Sequence, residues 1–197
     1  MDHRDLKQEE FARLERAGRR LYEGGLVAGS LGALGVRLPS GVIAVTGRGT
    51  RLGFMQPSNL VMLDTSGLPS SGDGPATDDS GMLHQVLVVN KESNAVLRVQ
   101  GPFTTALSFG GYRKVEKASI AMEHLGGVAF VPYYRPGTAG LAGAVADALR
   151  EARVAIIERQ GPVVRGEDLE RAVDVAEALE TAAKVAFLIS GNGDRYG

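Results

Sequence analysis

Apolar positions recur at helical spacing near both ends of the chain. Leu6, Phe11, Leu14 and Leu21 mark one face of a helix running to about Glu23, where Gly24-Gly25 supplies a stop. Leu169, Val173, Ala176, Leu179 and Phe187 fall mostly on one side of a long helix predicted from Glu167 to about Ser190 and ending at Gly191. Between these helices, short β-rich apolar runs bounded by turn residues predict strands at Gly41 to Thr46, Leu60 to Asp64, Asn94 to Val99 and Val154 to Glu158. Gly127 to Tyr133 reads as a buried strand, and Val163-Val164 as a candidate return strand after the Gly161-Pro162 break. Leu26 to Gly35 is a loop or a short strand. A helix is predicted from Ser80 to about Asn90, and Phe103 to Phe109 forms a helical turn or two. Leu141, Val145, Ala148 and Leu149 define an amphipathic helix that Thr138 caps after the Pro136-Gly137 turn. Thr65 to Ser80 reads as a flexible surface loop. Strands alternating with helices argue an α/β fold with α/β/α layering around a central sheet, whose strand order periodicity cannot give.

Composition narrows the function classes. A chain of 197 residues fits one domain spanning 1–197, and it buries enough surface to fold without a metal or disulfide staple. Net charge is -1 with both signs interspersed, which leaves no basic footprint for nucleic acid. No apolar run approaches the roughly 20 residues of a membrane span, and the first residues are too polar for a signal peptide. The expectation is a soluble, cytoplasmic protein without a membrane partner. Cysteine is absent, which excludes disulfides and thiolate chemistry.

Six segments carry a more specific signal through their order. They read AGSLGALGVRLPSGVIAVTGRG, QPSNLVMLD, LPSSGDGPATDDSGMLH, NAVLRVQGPFTTALS, VPYYRPGTAGLAGAVADAL and AIIERQGPVVRGEDLERAVDVAEALETAAKVAFLI. Together they resemble the class II aldolase/adducin family, with fuculose-phosphate aldolase-like order, from about Leu6 to Ser190. The resemblance implies a three-layer fold with a central, mostly antiparallel sheet, a cyclic homotetramer, and a small anionic sugar ligand. It also implies zinc held by three histidines, two of them on one strand as His-x-His, a spacing that puts both imidazoles on one face.

At the matching positions this chain has Arg98, Gln100 and Gln160. A guanidinium offers no lone pair, and carboxamides are poor zinc ligands, so no metal cofactor is expected. The family's acid/base position falls on Asp79 or on Ser80, depending on whether Arg98 or His84 anchors the match. Its phosphate-binding serines become Asp78 with Thr77 or Asp79, its loop asparagine becomes Ala33, and the neighbouring Gly32 remains. The tyrosine expected ahead of the Gly-Gly-Val strand falls near Ser119 or Ile120, with His124 as the nearest polar candidate.

Each of these residues has a functional and a plainer reading. Arg98 is either an anion receptor or half of a buried ion pair with Asp78 or Asp79. The Thr46-Gly47-Arg48-Gly49 turn either cradles an anion, helped by Arg48 or Arg51, or simply connects two strands. His84 and His124 are metal ligands or proton shuttles, or else hydrogen-bonded structural residues.

Two functions follow. The first is a non-catalytic pseudo-aldolase serving binding or assembly, as in adducin's head domain. The alternative is a metal-independent aldolase, lyase or isomerase for a sugar phosphate or sugar acid, with Arg98 as electrophile and Asp79 as base.

Overall fold

The computed structural model of the chain describes residues 8–70, 74–109 and 125–190. Its elements run α1 (Gln8–Glu23), β1 (Ala33–Arg37), β2 (Ile43–Thr46), β3 (Leu60–Leu63), α2 (Ser80–Val89), β4 (Ala95–Arg98), α3 (Pro102–Ser108), β5 (Val128–Val131), α4 (Ala139–Glu151), β6 (Val154–Ile157), β7 (Gly161–Gly166) and α5 (Leu169–Ser190). The strands form one seven-stranded sheet in the order β3-β2-β1-β4-β7-β6-β5. Only β5 and β6 run parallel; the other neighbours are antiparallel.

Strand alternation sends side chains to two cores. On one face Leu34, Ala44, Met62, Leu97 and Val164 meet α1, α3 and α5. On the other, Ala33, Val45, Val61, Val96 and Val163 meet α2 and α4 through Leu83, Val86, Leu141 and Val145. This is the three-layer arrangement that the alternating pattern predicts.

Local signals hold the helices in place. Thr138 caps α4 by accepting from the Leu141 amide at 3.3 Å, as its position before the apolar run predicts. The α3 N-terminus is capped from a distance, because the Glu180 carboxylate on α5 accepts from the Phe103 amide (2.8 Å), the Thr104 amide (3.0 Å) and the Thr104 hydroxyl (2.7 Å). Gly18 lets α1 lie directly on the Leu52 carbonyl, where any β-carbon would collide.

Several expectations need correction. The segment left as loop or short strand contains β1, which begins only at Ala33 and continues to Arg37. The Gly127–Tyr133 run is not a buried strand: β5 is the sheet edge, and Val128, Ala129 and Phe130 are half-buried. The return strand at Val163-Val164 is the middle of the longer β7. The predicted Thr65–Ser80 loop is tethered at both ends. The Ser70 amide donates to the Met62 carbonyl (2.8 Å), and the Thr77 amide to the Thr46 carbonyl (3.0 Å). Phe187 is not in the core; it is largely exposed and meets Phe103 edge-on at 5.6 Å. The expected end of the last helix at Gly191 lies outside the described residues.

Candidate functional site

The antiparallel register gathers most of the candidate residues at one end of the sheet. Arg98 closes β4 and pairs across to Ala33, the first residue of β1, and to Val163 on β7. Gly32 precedes that pair, and Thr46-Gly47 close β2. Gln160 ends the β6–β7 turn beside Gln100: Gly161 sits so close that a β-carbon there would be 3.4 Å from the Gln100 Cα and 2.7 Å from the Thr105 hydroxyl. The turn is strained in the way hairpin turns are, with Arg159 at φ 61° and Gly161 at φ 83°. Asp79 enters from above as the residue before α2, and the Thr77–Thr46 hydrogen bond ties that segment to the end of β2.

Arg98 is the unusual member. Its side chain lies on the α2/α4 face and the residue is only 6% exposed. One terminal nitrogen, Nη1, donates to the Val99 carbonyl at 2.8 Å, while Nε is sealed from solvent and has no partner among the described residues. Burial pushes the guanidinium below its ordinary range and the nearby Asp79 charge draws it back up; it stays cationic at any working pH. The buried ion pair expected with Asp78 or Asp79 does not form. Asp78 instead accepts from Arg48 at 2.6 Å on the surface, and Asp79 acts on Arg98 only through the field. Arg48 thus meets Asp78 in an exposed ion pair.

Asp79 is partly buried. Burial raises its carboxyl above the usual carboxylate range, Arg98 lowers it, and Asp78 adds a smaller upward push. A carboxyl of raised proton affinity beside a fixed cation is suited to moving a proton.

The remaining candidates divide clearly. Gln160 is buried and donates its amide to the Tyr134 carbonyl at 2.5 Å. Gln100 is half-buried, and its main-chain N–H donates to the Leu26 carbonyl at 2.8 Å. Thr46 is fully buried on the opposite face of the sheet, where its hydroxyl accepts from the Leu34 amide (3.3 Å), so it contributes backbone to this end and not its side chain. Gly32 packs on Val27 and Leu52, and Gly47 stands beside the Asn59 and Pro75 carbonyls. His84 is elsewhere, in a groove of about 630 Å³ with Arg37, Asp64 and the start of β2. His124, Ser119 and Ile120 lie outside the described residues.

Sequence reading missed a cleft of about 320 Å³ where the first turns of α2 and α4 meet, lined by Asp79, Gln85 and Thr138. Its signal was present in Pro136-Gly137-Thr138, read only as a turn and cap.

The positions to which the resemblance assigns a divalent ion do not fit one. A second cation would stand beside a buried guanidinium, with two carboxamides as neighbours. Among the described residues no group of three His, Cys, Asp or Glu is placed to hold a metal ion.

Residues 12–187 match the family model for the class II aldolase and adducin N-terminal domain. The chain belongs to that family. It is 31% identical over 198 residues to a 3-oxo-tetronate 4-phosphate decarboxylase from Haemophilus influenzae, with 98% of this chain and 92% of that protein covered. A crystal structure of YgbL from Escherichia coli superposes with a TM-score of 0.82 at 29% identity, covering 96% of this chain and 93% of that one. The L-fuculose-1-phosphate aldolase from Thermus thermophilus shares the fold, with a TM-score of 0.80 at 22% identity over 95% and 96% of the two chains. No described helix is long and apolar enough to cross a membrane.

Proposed function

We propose that this chain is a lyase, or a related isomerase, acting at the carbon beside a carbonyl in a small sugar acid or sugar phosphate. Similarity to a decarboxylase along nearly the whole chain supports this catalytic reading over the non-catalytic one. The observation that carries it is the juxtaposition of a buried, incompletely bonded Arg98 with Asp79, whose carboxyl burial holds toward neutrality.

The chemistry follows from these two groups. When a bond to carbon breaks next to a ketone, the electron pair moves onto the carbonyl oxygen and an enolate forms. A fixed guanidinium in a water-poor site stabilises that oxygen without reorganising. Protonated Asp79 then delivers its proton to the carbanionic carbon, or as the carboxylate removes one in the reverse direction. For a 3-oxo acid the departing group is carbon dioxide, and no oxidant is needed. Homo-oligomerisation, implied by the family resemblance, belongs to the same reading and is tested by light scattering of the purified protein.

The test is an assay with 3-oxo-tetronate 4-phosphate and a panel of ketose 1-phosphates, following carbon dioxide or aldehyde release. Turnover that falls about 100-fold or more in Asp79→Asn supports the proposal. No turnover of any of them, with no ligand raising the melting temperature, would return the chain to the binding or assembly reading.

A further inference from the structure

We infer that Arg98 is a receptor for a planar, singly charged oxygen pair, an enediolate or a carboxylate, and that it holds this anion without a divalent cation. The inference deepens the lyase reading and rests on the same site.

Three observations lead there. First, Arg98 makes no ion pair among the described residues. Its cross-strand neighbours are Ala33 and Val163, Asp78 is taken by Arg48, and Asp79 forms no ion pair with it. Second, its bonding is unfinished: Nη1 is spent on the Val99 carbonyl and the sealed Nε–H has nothing to donate to among the described residues. A buried donor of a charged group left unmade is costly, and such an atom in a native fold calls for an absent partner. Third, a guanidinium presents Nε–H and Nη2–H as a side-on fork, and the complement of that fork is two oxygens in one plane.

Charge selects among anions. One guanidinium neutralises one charge. A dianionic phosphate fits this balance poorly, whereas a carboxylate or an enediolate fits it well. Of the two planar anions, the enediolate is the one worth holding tightly. A strong grip on a leaving carboxylate would stabilise the starting material and slow its loss.

The probe pair is 2-phosphoglycolate and 2-hydroxyethyl phosphate, which share a phosphate and differ in having a planar carboxylate or a neutral hydroxyl. Calorimetric titration of the full chain in excess chelator is expected to show the carboxylate binding about 10–100-fold more tightly, the gain typical of charge-assisted hydrogen bonds. In Arg98→Gln the two ligands should bind within about 3-fold of each other. If that variant does not fold, Arg98→Lys keeps the charge but misplaces the fork, and should lose most of the preference. In the turnover assay, Arg98→Lys should lower kcat with little change in KM if the enediolate is the ligand, and raise KM if it is the substrate's carboxylate.

Equal affinities in the unmodified protein, no binding of either probe at millimolar concentration, a preference retained in full by both variants, or a preference appearing only on adding zinc would each overturn the inference. The two readings fail separately. Turnover without the binding preference leaves a lyase whose Arg98 does something else. The preference without turnover leaves an anion receptor that is not a lyase.

Discussion

Two arginines share one face of the sheet on adjacent strands and are treated oppositely. Arg165 on β7 stands across from Val96, and Arg98 two residues along β4 stands across from Val163. Arg165 is well bonded: its Nε donates to the Leu149 and Ala152 carbonyls at 2.7 and 3.0 Å, and its Nη1 to Glu92 and to the Ser93 hydroxyl at 2.8 and 3.1 Å. It closes the end of α4 against the sheet. Arg98 has one carbonyl and an orphaned Nε. The fold thus supplies several partners to a partly buried guanidinium when its task is structural. Where it withholds them, beside a carboxyl of raised proton affinity, the residue serves something that arrives later.

The same substitution at both positions tests this contrast most strongly. Arg165→Met should cost about 2–4 kcal/mol in denaturant unfolding, since it strands two helix-end carbonyls and unties Glu92 and Ser93. Arg98→Met should change stability by less than about 1 kcal/mol in either direction, because a methionine fills much of the volume and removes a poorly compensated charge. Comparable losses at the two sites would make Arg98 a structural residue. A smaller effect is expected at the other buried polar junction. Glu180→Ala should cost about 1–2 kcal/mol by uncapping α3, a loss measurable in the same experiment.

Asp79 sharpens the contrast through pH. Its carboxyl is raised in the folded protein, so the folded state binds the proton more tightly than the unfolded chain. Its contribution is therefore most favourable below the ordinary aspartate range of about 3.9, and is lost as pH rises through the raised native value. Above that raised value the penalty is fully present. Asp79→Asn should raise the melting temperature at pH above that value by about 2–4 °C, the shift of roughly 1 kcal/mol in a chain this size, and the gain should vanish near pH 3. Stabilisation together with loss of turnover would mark a residue kept for chemistry.

Much of this architecture was legible in the sequence, and the limits have physical causes. Strands β2, β3, β4 and β6 could be read because short β-branched runs between turn residues carry a local signal, and Thr138 because a cap acts within one turn. Arg98, Gln100 and Gln160 could be nominated from the resemblance, and β4 and β7 bring them to one sheet end. What no local pattern carries is who else is nearby. Whether Asp78 pairs with Arg98 or with Arg48 depends on the tether between Thr77 and Thr46. The face to which Thr46 points depends on where β2 begins, since a shift of one residue would have turned it toward Arg98. That β5 is an edge depends on strand order, and composition alone made it look buried.

The smallest predicted effect separates the site from the histidine that competes with it as a candidate. Burial lowers His84 below the ordinary histidine range, with Asp64 pulling it up and Arg37 pushing it down. A histidine whose folded value is depressed favours the neutral form. Its contribution is present above about pH 6.5 and is lost as pH falls through the native value. Melting the unmodified chain and His84→Asn at pH 7.5, 6 and 5 should show the unmodified chain losing more stability toward acid. The difference should be slight, because the ring is half-exposed against Gly67 and screened by solvent. The slope is opposite in sign to that of Asp79, so one pH series on the two variants separates them. A His84 variant whose turnover collapses while this slope stays flat would move the proton chemistry to the groove beside Asp64 and away from Arg98.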